Sequence, residues 1–372
     1  MSVGPTENDP RSLEAMVREM PPTRYLSCRH IERGLAFWGD TVTACCGNTA
    51  TGRMPTIFAP FKGEITAEAI MEGRARVITR HKAGDVVPEC RGCAHLVEQE
   101  WGPKNLSPYL VDEVTTSHFT SCQIRCNYCY TVTQPEMTAP LSKAARTLPT
   151  FEQLIAGNHL APSSTVRFAG GEPTISPEFE TVLTRLIDYG VRCIVYTNAV
   201  KLSDAIIYAL SRDKVELVLG IDAASIAVYK AIKKMNYNEK VWSNVAKYCA
   251  ARLPNAENKV WAKFIFCIEN YREAAHFVER AAEAGATHVY YDFDASRKDP
   301  DSLRAGIALP DEITKYAALL RHECAKRGIV VEFSQAGWGW LTPERRDRME
   351  RELERLNARS VVVFAPVADA RA

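Results

Sequence analysis

The chain has 372 residues, 46% of them hydrophobic and 24% charged, with a formal net charge of +1. This is the make-up of an ordinary folded protein and excludes a largely disordered one. It also gives no bulk electrostatic pull toward nucleic acid or an anionic membrane. The opening run MSVGPTENDPRSLEAM has no basic region leading into an apolar core, and no apolar run approaches the roughly 18 residues of a bilayer span. A cytoplasmic protein is expected. Twelve cysteines without an export signal point to metal or redox chemistry rather than disulfides.

Residues 1–108 combine short β-like pieces (34–39 and 55–60), one helix over 66–84 and five cysteines, Cys28, Cys45, Cys46, Cys90 and Cys93. They read as a small cysteine-rich domain. From residue 109 to 340 short β-rich runs alternate with amphipathic stretches. Strands are expected at 111–120 and 164–170. A helix follows over 176–190, with Ser176 as its cap, Pro177 in the first turn, and a stripe of Phe179, Val182, Leu183, Leu186 and Ile187. Gly190 suits its stop. Further strands are expected at 191–198, 214–222, 259–268, 287–294 and 328–335, each pair separated by helical sequence. Residues 341–372 read as a C-terminal helix and tail. Repeated strand–helix units mean an α/β fold with a parallel sheet and right-handed crossovers, expected as a partial (β/α)6-type barrel. Periodicity alone does not separate that from a doubly wound sheet. In either, chemistry sits at the carboxyl ends of the strands.

The loop after the first of these strands reads SCQIRCNYCY, residues 121–130, and places Cys122, Cys126 and Cys129 in a C-x3-C-x2-C pattern. Three thiolates so spaced can hold three irons of a [4Fe–4S] cluster and leave the fourth open, the mark of a catalytic rather than a structural metal. Three cysteines with a distant histidine holding zinc is the competing reading. Cys193, Cys249, Cys267 and Cys324 lie singly in apolar or helical segments and read as buried small hydrophobes.

The CQIRCNYC loop resembles the CxxxCxxC loop of the radical S-adenosylmethionine (radical SAM) superfamily. The resemblance implies that the amino and carboxylate groups of SAM chelate the open iron. Tyr128 matches the aromatic near the adenine. FAGGEPT ends the second strand, and Gly170, Gly171, Glu172 and Pro173 match the family's GGEP motif, expected to meet the SAM ammonium. YTNA makes Thr197 and Asn198 candidates for the SAM carboxylate or ribose. LGIDAASIAVYKAIKK resembles the S-(I/L)-D…Y-x-x-I stretch of the family. Gly220 stands where serine is usual, and Asp222 is either a cofactor contact or a helix N-cap. The resemblance covers about residues 112–300. It implies reductive cleavage of SAM to methionine and a 5′-deoxyadenosyl radical that removes a hydrogen atom from substrate, with flavodoxin or ferredoxin as electron donor.

The second cysteine set remains. CRGC gives Cys90 and Cys93 a metal-clip spacing, and Cys28 with Cys45 or Cys46 would complete four ligands. GDTVTAC resembles an element of SPASM or twitch auxiliary-cluster domains and favours Cys45, with the adjacent Cys46 as rival. A second [4Fe–4S] cluster is expected here, with structural zinc as the alternative.

For the substrate, His288, Tyr290, Asp292 and Asp294 share one strand parity, and Lys263, Cys267 and Glu269 another. Cys267, Asp292 and Asp294 are the catalytic candidates, against caps and loop links. A small polar metabolite or sugar is the favoured substrate. A peptide maturase is the alternative, and a non-catalytic zinc-bearing binding protein the one of another class. The lack of a basic stripe argues against a nucleic-acid partner.

Overall fold

The computed structural model describes residues 23–38, 41–45, 55–58, 65–101, 111–129, 132, 147–296, 306–333 and 340–362. The chain divides into two units: Met1–Ser121 with Met137–Val195, and Cys122–Glu136 with Tyr196–Ala372.

The first unit begins with β1 (Thr23–Ser27), α1 (Arg29–Arg33), β2 (Gly34–Trp38), β3 (Thr41–Thr43) and β4 (Thr56–Phe58). Helix α2 (Ala67–Lys82), β5 (Val97–Trp101), β6 (Val111–Ser117), α3 (Leu148–Ala156), β7 (Leu160–Phe168), α4 (Phe179–Tyr189) and β8 (Arg192–Thr197) follow. β1 pairs antiparallel with β5 as a separate ribbon. β2, β6, β7 and β8 run parallel, side by side, and β3 and β4 continue antiparallel from β2.

Gly34–Trp38 pairs in parallel with Glu113–Ser117. β2 thus enters the same sheet as the strand that leads to the cysteine loop. The reason is apolar burial. Leu35, Ala36 and Phe37 are all buried, so both faces of β2 must be covered, as in a parallel core strand. Phe37 packs against Phe151 and His118.

Helix α2 starts where Thr66 accepts from the Ala69 N–H and ends in Arg80, His81 and Lys82, a charge order that suits the helix dipole. Helix α4 buries the predicted stripe from Phe179 to Ile187, and Gly190 closes it at φ 105°. Ser176 does not cap it. Ser176 instead ends a short 3-10 turn, Pro173–Ile175, and the helix begins at Phe179. Glu178, at the cap position, gives its carboxylate to the Thr147 N–H at 2.8 Å.

The second unit carries α5 (Asp204–Leu210), β9 (Val215–Gly220), α6 (Ile226–Lys233), α7 (Asn238–Ala251), β10 (Val260–Phe266), α8 (Ala274–Glu283), β11 (His288–Phe293), α9 (Ile313–Lys326), β12 (Val330–Phe333) and α10 (Pro343–Val362). β9, β10, β11 and β12 are parallel neighbours in that order. On β11, Val289, Tyr291 and Phe293 are buried, and Phe293 packs against Phe266, Phe333 and Trp340. Trp340 of the QAGWGW run is thus a packing residue; the rest of that run lies outside the described residues. Both units are α/β with mostly parallel strands, as the alternation of elements predicts. Among the described residues no helix is long and apolar enough to cross a membrane.

Candidate active site

The cysteine loop of the second unit is held by the main chain of α6. The Arg125 N–H donates to the Lys233 carbonyl at 3.1 Å and the Asn127 N–H to the Ile232 carbonyl at 3.0 Å. Within the loop the Cys129 N–H donates to the Cys126 carbonyl at 3.1 Å. Cys122, Cys126 and Cys129 are all half-buried. The Asn198 amide, just past β8, donates to the Cys122 sulfur at 3.5 Å and accepts from Gln123 at 3.2 Å. Thr197 turns its hydroxyl to the Ala199 N–H. Ala199 and Asp222, beyond the ends of β8 and β9, are non-glycine residues in the left-handed region, at φ 58° and 62°. Strain of that kind persists only where the surroundings impose it.

Asp222 is fully buried, and its carboxylate is used internally. One oxygen accepts from the Ile265 N–H at 2.7 Å; the other accepts from the Tyr128 hydroxyl and the Lys233 ammonium. Asp222 does not cap α6, because Ser225 does, accepting from the Val228 N–H at 3.3 Å. Lys233, itself 2% exposed, also donates to the Gly220 carbonyl and the Tyr128 hydroxyl, each at 3.0 Å. Burial works against its charge, but the Asp222 carboxylate and Cys126 outweigh burial and raise its pKa. Burial, reinforced by the Asp222 charge, likewise holds the Tyr128 phenol protonated. At Gly220 a side chain would meet only the Thr197 carbonyl, at 3.7 Å, so the missing serine leaves open space.

The GGEP segment lies in the first unit, where its glycines allow a close approach of main chain to main chain. A Cβ on Gly171 would stand 2.3 Å from the Ser121 carbonyl oxygen, and one on Gly170, at φ 95°, 2.7 Å from that of Phe119. The Gly171 and Glu172 N–H groups donate to the Phe119 and Ser121 carbonyls at 2.7 and 2.8 Å. The buried Glu172 carboxylate accepts from the Thr174 hydroxyl and N–H, opening the turn that Pro173 begins. The motif therefore braces the residues that run into Cys122. Gly171→Ala should cost about 1–3 kcal/mol of stability, read as a lower urea midpoint at unchanged slope.

The first unit gathers a second set of thiols. Cys28, Cys45, Cys90 and Cys93 line one pocket together with His30 and His95. Cys28 is the N-cap of α1, its sulfur accepting from the Ile31 N–H at 3.5 Å; Cys90 ends a turn whose carbonyl receives the Cys93 N–H at 3.1 Å. Burial, and then the nearby Cys28, Cys45 and Cys93, push the Cys90 thiol up to about 12. Cys46 lies outside the described residues. Arg74 of α2, fully buried, donates to the carbonyls of Gly34, Ile31 and Glu32 and so fixes the end of α1. Burial lowers its pKa to about 10, which leaves it charged at neutral pH. Arg74→Met strands those carbonyls and should destabilise the protein by about 3 kcal/mol, measured by chemical denaturation.

Among the described residues, no three His, Cys, Asp or Glu side chains converge tightly enough to hold one metal ion. Thiolates of a four-iron cage each bind a different iron and stand farther apart than ligands sharing one ion. On the cysteine loop two buried amide oxygens, Gln123 Oε1 and Asn127 Oδ1, have no donor among the described residues, which suits a ligand bearing N–H groups.

The weaker catalytic candidates make local contacts with the main chain and neighbouring side chains. Cys267 is fully buried beyond β10, and its N–H donates to Asn270. Asp292 accepts from the Phe293 N–H, and Asp294 from the Ser296 hydroxyl and N–H. Sequence reasoning missed Lys233, Tyr229, the Asn127–Glu269 hydrogen bond at 2.9 Å, and Asn270, which donates to the carbonyls of Asp222 and Ile265. The YKAIKK spacing, which puts Tyr229 and Lys233 on one helix face, was the available signal.

Residues 116–281 match the family model of the radical SAM superfamily. The chain is 29% identical over 161 residues to GTP 3′,8-cyclase of Synechococcus elongatus, covering 42% of this chain and 47% of the cyclase. It thus spans about half the length of the curated relative it matches. Among solved structures it is similar to Streptococcus suis SuiB, with a TM-score of 0.48 and 11% identity over 74% of this chain and 56% of SuiB. It is also similar to anSMEcpe with bound AdoMet, with a TM-score of 0.46 and 13% identity over 59% of this chain and 63% of that one. Residues 116–281 are thus similar to the radical SAM superfamily.

Proposed function

We propose that the chain reductively cleaves SAM and abstracts a hydrogen atom from a small polar metabolite or sugar. The observation that carries this is the cysteine loop: three thiols on one segment, pinned to α6, beside two buried amide oxygens lacking donors. Cys122, Cys126 and Cys129 would hold a [4Fe–4S] cluster, which with SAM supplies the radical chemistry. Gln123 and Asn127 offer acceptors for the SAM ammonium, and Asn198 orients the Cys122 thiol. Gly170, Gly171, Glu172 and Pro173 hold the entry to the loop in register; Thr197 and Tyr128 remain cofactor-side residues in this reading. Asp222 acts from behind, through Tyr128 and Lys233.

Cys28, Cys45, Cys90 and Cys93 would hold a second cluster with full cysteine ligation, suited to passing an electron rather than binding substrate. Cys46 is then the spare. A small donor such as flavodoxin or ferredoxin would supply the electron, in the cytoplasm. The GTP named in the cyclase relative favours a small polar substrate over a peptide.

The test is anaerobic reconstitution with iron and sulfide, followed by SAM and a strong reductant. About eight irons per chain and release of 5′-deoxyadenosine are expected. A colourless zinc protein without turnover would overturn the proposal.

A further inference from the structure

We propose that one face of α6, made by Tyr229 and Lys233, sets the reduction potential of the cluster held by Cys122, Cys126 and Cys129. This rests on the cluster reading above and deepens it.

Tyr229 and Lys233 are four residues apart on α6, so they lie one above the other on the same face. Both are buried, Tyr229 at 0% and Lys233 at 2% exposure. Among the described residues the Tyr229 hydroxyl has no hydrogen-bond partner. A buried phenol hydroxyl left unpaired is costly, and its retention asks for an acceptor that protein atoms do not supply. The loop is hydrogen-bonded to the end of this helix through the Ile232 and Lys233 carbonyls. Lys233, one turn from Tyr229, reaches the Tyr128 hydroxyl on the loop, so the face is turned toward the loop. The charges of Lys233, Cys126, Asp222 and Cys122 all bear on the Tyr229 hydroxyl. The Lys233 ammonium donates to Asp222, to the Gly220 carbonyl and to the hydroxyl of Tyr128, which lies on the loop between Cys126 and Cys129, and its charge bears on Cys126.

The chemistry follows from charge. A reduced cluster carries one more negative charge than the oxidised one. Hydrogen bonds to its sulfurs and a nearby cation favour the reduced form and raise the potential; a nearby carboxylate lowers it. Tyr229 supplies the first, Lys233 the second and Asp222 the third. The salt bridge keeps the pair close to neutral, so each member holds the other's influence in check. These are positioning and tuning residues, not catalytic ones.

The test is an EPR-monitored redox titration of the reconstituted full chain, following the signal that changes on adding SAM, which belongs to the cluster with the open iron. Tyr229→Phe should shift the midpoint to more negative potential with iron content unchanged. Asp222→Asn should shift it to more positive potential. Lys233→Met should shift it negative, and Lys233→Arg should restore most of the shift. A purely structural role would not give opposite signs at Asp222 and Tyr229. Midpoints of Tyr229→Phe and Asp222→Asn that equal the wild-type value, or that move in the same direction, would overturn the inference. If Lys233→Met loses its cluster, those two variants still decide. A wild-type protein that forms no SAM-sensitive cluster would sink the cluster reading instead, so the two failures are distinguishable.

Discussion

Cys126→Ala should reduce 5′-deoxyadenosine formation to below about one-hundredth of wild type, a floor set by the 10–100-fold losses seen when only an outer partner of a metal ligand is removed. The loss follows because the remaining thiols, Cys122 and Cys129, cannot hold three irons. The fold should survive. The Cys126 side chain is half-buried, while the loop is held by main-chain bonds from Arg125 and Asn127 to α6 that do not involve the thiol. Stability should fall by about 1 kcal/mol, as for an ordinary point substitution. Chromatographic quantification of 5′-deoxyadenosine, iron analysis and a thermal melt check all three points. Wild-type turnover in the variant would remove Cys126 from the cluster.

Cys90→Ala should do the reverse. SAM cleavage should persist, while iron falls from about eight to about four per chain and substrate conversion is lost. Cys90 lies in the first unit among Cys28, Cys45 and Cys93, sharing a turn with Cys93. Removing one buried thiol leaves three ligands for a site that needs four, with no change to the Cys122–Cys129 loop. An iron content and product yield equal to wild type would show that these thiols are structural only.

Most of the parallel strands from residue 111 onward were legible because each is a short apolar run bounded by a helix of period 3.6. The placement of β2 was not, since a five-residue strand carries no sign of which strand it will pair with. The start of α4 was misjudged for a local reason: Ser176 is a good cap by type, but the turn begun by Pro173 uses it first. At the site, the three loop cysteines stand out by spacing alone. Lys233 did not, because a lysine at the end of an amphipathic helix normally reaches solvent. Only the fold reveals that Asp222, eleven residues earlier, is buried beside it. Glu172 illustrates the converse. Its motif is conspicuous, yet only the fold reveals that one carboxylate oxygen accepts from Thr174, two residues away.

The brace between residues 169–172 and 116–121 is written in peptide groups on both sides, with no side chain of Phe119, Thr120 or Ser121 taking part in the bonds from Ala169, Gly171 and Glu172. Such a seam is indifferent to residue identity on one strand and intolerant of any change in chain length. A library varying Phe119, Thr120 and Ser121 should therefore yield mostly assembled protein, whereas adding or deleting a single residue there would slide the thiols out of phase. An engineer wishing to alter the surroundings of this centre has latitude in lettering, but none in spacing.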